Sequence, residues 1–181
     1  GIYKVIGDNL IPNASFDEGL EGWTSGDGSA ITAENFEVVV EGGPDGGAYL
    51  KALSGAGSGS NKSIKQGWQL TPGKSYVFSM WAKRTASGMS SNTQYSKVYL
   101  ASSATGTDTE LALVNYKADT WVQTQVLVTP TSDKPYCVIN LGWLNSATSI
   151  DCFFLGEVTL SDELNVAKLE ELIGEAQTLL L

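Results

Sequence analysis

The chain of 181 residues contains no histidine. Without an imidazole it cannot form a Ser–His or Cys–His nucleophile pair, a histidine-ligated zinc site or a histidine base near neutral pH. Carboxylate chemistry and oxygen-ligated cations remain open. The absence therefore excludes most hydrolase mechanisms.

Basic residues are scarce, with 11 Lys and Arg against 20 Asp and Glu and a formal net charge of −9. Binding to nucleic acid or to an acidic membrane surface needs a clustered basic face, and the basic residues here are scattered. No stretch approaches the ~20 consecutive apolar residues of a spanning helix. The sequence thus predicts neither a nucleic-acid partner nor a transmembrane segment.

Cysteine is nearly absent, with only Cys137 and Cys152. Two thiols cannot complete a tetrahedral zinc site, and their spacing is not that of a redox Cys-x-x-Cys. Two interpretations stay open, a pair of buried small apolar side chains or one disulfide.

What the sequence does contain is typical of an all-β fold. It has 20 Gly and 5 Pro, and turn-forming runs such as residues 42–47 and 71–74 separate short apolar segments. Alternation and β-branched content predict strands at residues 36–40, 63–70, 76–83, 94–100, 110–116, 121–128, 137–143 and 150–160. We therefore predict a two-sheet antiparallel β-sandwich of the jelly-roll type over residues 1–160.

The tail, residues 161–181, changes to a helical pattern. Its apolar residues gather on one face, namely Leu164, Leu169, Leu172, Ile173, Ala176, Leu179 and Leu180. We predict a short amphipathic helix that is a linker or the start of a following domain. The alternative is a helix that docks on the sandwich.

Four segments resemble carbohydrate-binding modules of families 4, 9 and 22, which are galactose-binding-like jelly rolls. They are NLIPNASFDEGLEGW (9–23), LTPGKSYVFSMWAK (70–83), TWV (120–122) and FFLGEVTL (153–160), and the likeness covers about residues 8–160. The resemblance implies a non-catalytic, monomeric module that binds polysaccharide or oligosaccharide. It further implies a secreted, cell-surface or periplasmic multidomain protein. A sugar-independent adhesion or spacer domain is the alternative.

The resemblance also implies a structural calcium site. Asp17 matches the acidic ligand of the opening motif, and Glu157 matches the second Asp of a closing strand that normally reads Asp-Asp-Val. This chain has Gly156-Glu157 there instead. A cage of carboxylate and carbonyl oxygens would suit calcium.

Strand alternation supplies candidate sugar-binding residues. Residues 76, 78, 80 and 82 are apolar and predicted to face the core, which turns Trp81 and Lys83 outward. The same count turns Tyr95, Lys97 and Tyr99 outward in the next strand and Asn140 outward in the strand after residue 136. We predict an aromatic platform of Trp81, Tyr95 and Tyr99 with polar support from Lys83, Lys97, Asn140 and Gln94. The competing interpretation is ordinary cross-strand packing.

The remaining tryptophans are predicted to be structural. Trp23 and Trp121 occupy framework positions of the resemblance, while Trp68 and Trp143 share strand parity with core residues. Acidic residues fall in turns and the tail, and none pairs with another on a predicted open face, as a glycosidase needs. We therefore predict no catalytic residues.

Overall fold

The computed structural model describes residues 3–53, 63–84, 96–114, 119–142, 144 and 148–180. Ten strands precede one helix in these parts of the chain. The strands are β1 (Tyr3–Val5), β2 (Phe36–Val39), β3 (Tyr49–Ala52), β4 (Ile64–Gln69), β5 (Ser75–Arg84), β6 (Ser96–Ala101), β7 (Thr109–Leu113), β8 (Val122–Val128), β9 (Tyr136–Leu141) and β10 (Thr148–Leu160).

The strands form two antiparallel sheets. The six-stranded sheet runs β2-β3-β10-β5-β8, with β1 pairing β10, and the four-stranded sheet runs β4-β9-β6-β7. One apolar core contains side chains from both sheets. The predicted two-sheet β-sandwich is confirmed.

Strand β5 shows why the sheets pack as they do. Tyr76, Phe78, Met80 and Ala82 are all buried in the core, and Phe78 and Met80 are completely inaccessible. Because side chains alternate along a strand, the residues between them point away from the core. The predicted core face of this strand is confirmed.

Two of the strands were not predicted from the sequence. β1 is only three residues long, two of them exposed, so it carries no alternation signal. β3 follows a glycine-rich run and pairs with β2 on one side, and Leu50 lies opposite Ile150 of β10 on the other. Both are formed by pairing with distant strands.

The opening motif builds a tight loop. Asn13 and Phe16 have φ angles of 49° and 59°, a left-handed conformation that asparagine tolerates better than most residues. The Asn13 amide donates to the carbonyls of Gly19 and Glu21 at 2.9 Å, and Trp23 Nε1 donates to the Asn13 carbonyl at 3.1 Å. Trp23 is 2% exposed, so its predicted structural role is confirmed.

Asn9 fastens the opening segment to the last strand. Its amide donates to the Phe153 carbonyl at 2.9 Å, and its oxygen accepts from the Leu155 amide at 3.0 Å. These bonds hold β10 at the C-terminal end of a register irregularity between Asp151 and Phe154. The segments that carry the family resemblance are therefore largely framework.

Helix α1 (Ser161–Leu180) follows β10 without a loop. Residues 168–178 are exposed, and Leu169, Leu172 and Ile173 are 58%, 49% and 49% accessible. The predicted helix is confirmed, and over residues 168–178 it does not dock on the sandwich. Within the described residues, no helix has the length and apolarity that crossing a membrane requires.

Candidate functional site

The outer face of the four-stranded sheet brings several predicted site residues together. We call it the four-strand face; its defining residues are Lys65, Gln69, Lys97, Tyr99, Tyr136 and Asn140. Each alternates with core residues such as Ile64, Val98 and Ile139, so it points away from the core.

Strand register sets the layout of this face. Asn140 lies opposite Lys65 on one side and Lys97 on the other, so the three form one row across β4, β9 and β6. Tyr99 lies opposite Val138, in the neighbouring row of the sheet that also contains Gly67. Tyr99 and Asn140 are partly exposed, so an aromatic ring and an amide are presented to solvent side by side.

The loop between β6 and β7, residues 102–108, forms a wall on this face. A Cβ added to Gly67 would lie 2.7 Å from Ala104 Cα, and closer still to the Ala104 carbonyl oxygen. Only glycine allows so close an approach of two backbones. Val138, between Gly67 and Tyr99, is fully buried although it points outward. The loop therefore crosses the face over Val138, and Gln69 and Tyr136 lie on its other side from Asn140. We call the surface on the Asn140 side of the loop the groove.

Hydrogen bonds hold the wall in place. Asp108 Oδ2 accepts from the Ser102 amide at 2.6 Å, and this bond lowers the pKa of the Asp108 carboxyl. Lys134 Nζ donates to Thr109 Oγ1 at 2.7 Å. These bonds close the base of the loop and hold the start of β7 beside it.

Lys97 of the groove is paired with a carboxylate. Lys97 Nζ lies 3.0 Å from Glu110 Oε2, and the Glu110 carboxylate raises the pKa of Lys97. The ammonium stays protonated, and its charge is compensated locally. The pair offers hydrogen-bond donors and acceptors without a net charge.

The structure separates the predicted aromatic platform. Trp81 and Lys83 point outward from β5 in the six-stranded sheet, whereas Tyr99 points outward from the four-stranded sheet. Trp81 and Tyr99 therefore lie on opposite sides of the core and cannot contact the same sugar chain as one platform. Strand alternation predicts which side chains point away from the core, but it does not predict which of the two sheets a strand joins. Tyr95 and Gln94 lie outside the described residues.

Trp68 and Trp121 also lie on different sides of their sheets. Trp68 packs on the core, 6.2 Å from the ring of Trp23 and 6.5 Å from that of Phe78, as predicted. Trp121 is half-buried on the outer side of the six-stranded sheet, and its Nε1 donates to the Gly42 carbonyl at 3.2 Å. Trp143 lies outside the described residues.

Sequence reasoning missed several residues of the four-strand face. Lys65 and Gln69 alternate with the core residues of β4, so strand parity alone could have identified them. Tyr136 precedes the predicted strand by one residue. Leu113, 52% exposed opposite Lys97, gave no local signal, because only the pairing of β6 with β7 places it here.

The structure gives the two predicted calcium ligands different surroundings. Glu157 Oε2 lies 3.5 Å from Lys74 Nζ, an ammonium that competes with a cation, and Asp17 is exposed on a turn. At Gly156, where relatives carry the first Asp, a Cβ would lie 2.5 Å from Cζ of Phe154. The described part of the chain contains no group of three or more acidic, Cys or His residues that could hold a metal.

This arrangement predicts a response to metal removal. We expect the melting temperature in 5 mM EDTA to agree with that in 5 mM CaCl₂ within about 1 °C, because ligands that bind only the native state raise it. Differential scanning calorimetry measures this, with MgCl₂ as the control for ionic strength. A saturable rise specific to calcium would show that the cage forms.

Cys137 is a free, fully buried thiol on the core side of β9. Burial raises its pKa to about 12. It therefore behaves as a small apolar core residue, as the first of the two interpretations predicts for it; the side chain of Cys152 lies outside the described residues.

An antiparallel sandwich with an outward groove of aromatic, amide and lysine side chains has the architecture of a sugar-binding module. The family model described as Carbohydrate binding domain matches residues 8–144, more than half of the chain. The chain belongs to this carbohydrate-binding family, which confirms the predicted resemblance; the match includes the first three of its four sequence segments and ends before residues 153–160. No curated protein sequence matches it.

Solved structures share the fold. A Family 16 Carbohydrate Binding Module-2 is 21% identical, with 81% of this chain and 99% of that chain covered and a TM-score of 0.54. The CBM22-1 xylan-binding domain of Paenibacillus barcinonensis Xyn10C is 17% identical, with 87% and 99% covered and a TM-score of 0.55. The Stig cyclase Fisc from Fischerella sp. TAU is 16% identical, with 87% and 99% covered and a TM-score of 0.53. The fold thus serves binding modules and cyclases alike.

Proposed function

We propose that this protein is a non-catalytic module that binds a neutral polysaccharide chain in the groove of the four-strand face. The observation that carries the proposal is the juxtaposition of the partly exposed Tyr99 ring with the row Lys65, Asn140 and Lys97, beside a preformed loop wall. A pyranose presents flat C–H faces to an aromatic ring and hydroxyls to amides and ammonium groups. The groove supplies both kinds of partner.

The expected affinity follows from the area covered. A ring that covers ~100 Å² of apolar surface contributes about 2.5 kcal/mol at ~25 cal/mol/Å². Tyr99, together with hydrogen bonds from the polar row and less the cost of association, leads to dissociation constants of about micromolar to sub-millimolar. Such binding suits a module that gains strength from multiple copies or attached domains.

The preference for a neutral chain rests on electrostatics. Lys97 is compensated by Glu110 at 3.0 Å, and the chain carries a net charge of −9. An acidic polysaccharide would meet overall repulsion from this net charge, and the Lys97 ammonium already has a carboxylate partner.

The proposal that the module is non-catalytic rests on the acids of the groove. A glycosidase needs a general acid whose pKa is raised, together with a second carboxylate about 5–9.5 Å away. The pKa of Asp108 is lowered by the Ser102 amide, and Glu110 is paired with Lys97. The chain also has no histidine to act as an alternative acid or base.

We further propose that the module belongs to a secreted, cell-surface or periplasmic multidomain protein. Structural polysaccharides such as xylan and cellulose lie outside the cell, where a module of this kind would meet them. Helix α1 continues directly from β10 and exposes apolar side chains, which favours its use as a connection to a neighbouring domain. The sandwich itself would act as a monomer.

Affinity gel electrophoresis tests this function. We expect retarded migration in gels that contain a neutral polymer, such as xylan freed of acidic substituents, hydroxyethylcellulose or β-1,3-glucan, and none in alginate. No retardation in any gel would favour the spacer alternative. Release of reducing sugar by the pure chain would overturn the proposal that the module is non-catalytic.

A further inference from the structure

The outer side of the six-stranded sheet carries a second group of aromatic rings. We call it the six-strand face; its half-buried aromatic residues are Tyr49, Trp81, Trp121 and Phe154. Trp81 lies opposite Asp151 on β10 and Gln123 on β8, so it points away from the core. The groove on the opposite side of the molecule uses none of these residues.

Part of this face is fixed by internal contacts. The rings of Tyr49 and Trp121 lie 5.4 Å apart at 81°, and Lys83 Nζ sits 5.3 Å and 4.8 Å from their centroids. Trp121 is also anchored by its bond to the Gly42 carbonyl. Cation–π contacts of this kind hold both rings and the ammonium in one geometry. A ligand therefore meets a preordered surface.

Hydrogen-bonding side chains flank the tryptophan. Gln123 of β8 lies directly opposite Trp81. Gln125 of β8 lies opposite Ser79 of β5, and Ser79 pairs with Phe154 of β10 on its other side. Both glutamines are exposed, and the Gln125 amide donates to the Tyr3 hydroxyl. An aromatic ring bordered by amides is the arrangement that a saccharide needs, since its ring face is apolar and its rim carries hydroxyls.

We infer that the six-strand face is a second saccharide-binding surface, on which a pyranose of a neutral polysaccharide stacks on Trp81 and hydrogen-bonds to Gln123. The inference rests on the proposed function, because it assigns the same ligand class to a separate face. The two faces lie back to back across sheets that pack ~10 Å apart. One module would therefore hold two polysaccharide chains at once and bridge them.

Isothermal titration calorimetry with xylohexaose and cellohexaose tests the inference on the full chain. We expect about two hexasaccharides per wild-type molecule and about one for Trp81→Ala or Tyr99→Ala. The double variant should bind none. Val40→Ser changes an apolar side chain that is 80% exposed at the end of β2, and serves as a surface control with unchanged binding.

A second variant distinguishes a loss of binding from a loss of the fold. Gln123 is exposed, so Gln123→Ala should keep the wild-type melting temperature while weakening only the second site by about fivefold, the loss of roughly one hydrogen bond. A bridging assay adds a direct readout. Insoluble xylan loaded with wild-type protein should capture fluorescent cellohexaose, and xylan loaded with Trp81→Ala should not.

The outcomes separate the two proposals. A single site that Tyr99→Ala removes and Trp81→Ala leaves intact would overturn the second surface and keep the proposed function. A single site removed by Trp81→Ala alone would support the six-strand face and overturn the groove assignment. Absence of binding to every neutral polysaccharide would overturn both.

Discussion

Replacing Tyr99 with alanine should weaken binding in the groove by about tenfold or more. The ring lies in the row of the sheet next to that of Lys97 and Asn140. Its loss removes apolar contact worth ~1.5–2.5 kcal/mol, where 1.4 kcal/mol is a factor of ten. Its outward position in β6 means that the core stays filled. Binding should fall without unfolding.

Calorimetry with a polysaccharide that retards the wild type measures this loss, and circular dichroism verifies the fold. Tyr99→Phe is the matched control, since it keeps the ring and removes only the hydroxyl. It should retain affinity within about threefold, because one hydrogen bond contributes roughly 0.5–1.5 kcal/mol. Equal affinities for Tyr99→Ala and the wild type would contradict the proposal that the saccharide binds in the groove.

Gly67→Ala should destabilise the protein although it adds only one methyl group. The new Cβ would lie 2.7 Å from Ala104 Cα and 2.8 Å from Ala104 C, backbone atoms that cannot turn aside as a side chain can. Overpacking of this kind costs about 1–3 kcal/mol. For a domain of this size, each kcal/mol lowers the melting temperature by roughly 2–4 °C.

Gly174→Ala provides the comparison. It also adds one methyl group, but nothing lies within 4 Å of the new Cβ on helix α1. Alanine is favoured over glycine in a helix by roughly 0.8–1.0 kcal/mol, so this variant should be as stable as the wild type or slightly more so. Thermal unfolding of the pair separates a steric effect from a general effect of replacing glycine.

The Gly67→Ala variant also tests the wall of the groove. If residues 102–108 are displaced to relieve the clash, polysaccharide binding should weaken together with stability. Unchanged stability and unchanged binding would show that the wall yields at no cost and takes no part in recognition.

More of the fold than of the site could be predicted from the sequence. The turn at Pro72-Gly73, where Gly73 has a φ of 90°, and the alternation through Met80 were both visible without coordinates. The short strand β1 was not, because three residues show no periodicity. Its existence depends on the register that sets Tyr3 opposite Leu160.

Within the site, Lys97, Tyr99 and Asn140 were predicted to point outward and do so on one face. The partner of Lys97 was not predicted. Glu110 lies on β7 beyond a register shift between Val98 and Tyr99, which no local pattern announces. The wall over Gly67 was equally hidden, because a loop distant in sequence forms it.

By itself, the sequence determined the all-β class, the family, and which side of strands such as β5, β6 and β9 faces the core. These properties are local, since a strand's side chains alternate whatever its partners are. Only the tertiary structure decided which sheet each strand joins. Strand pairing is non-local, and it placed Trp81 and Tyr99 on opposite faces of the same core.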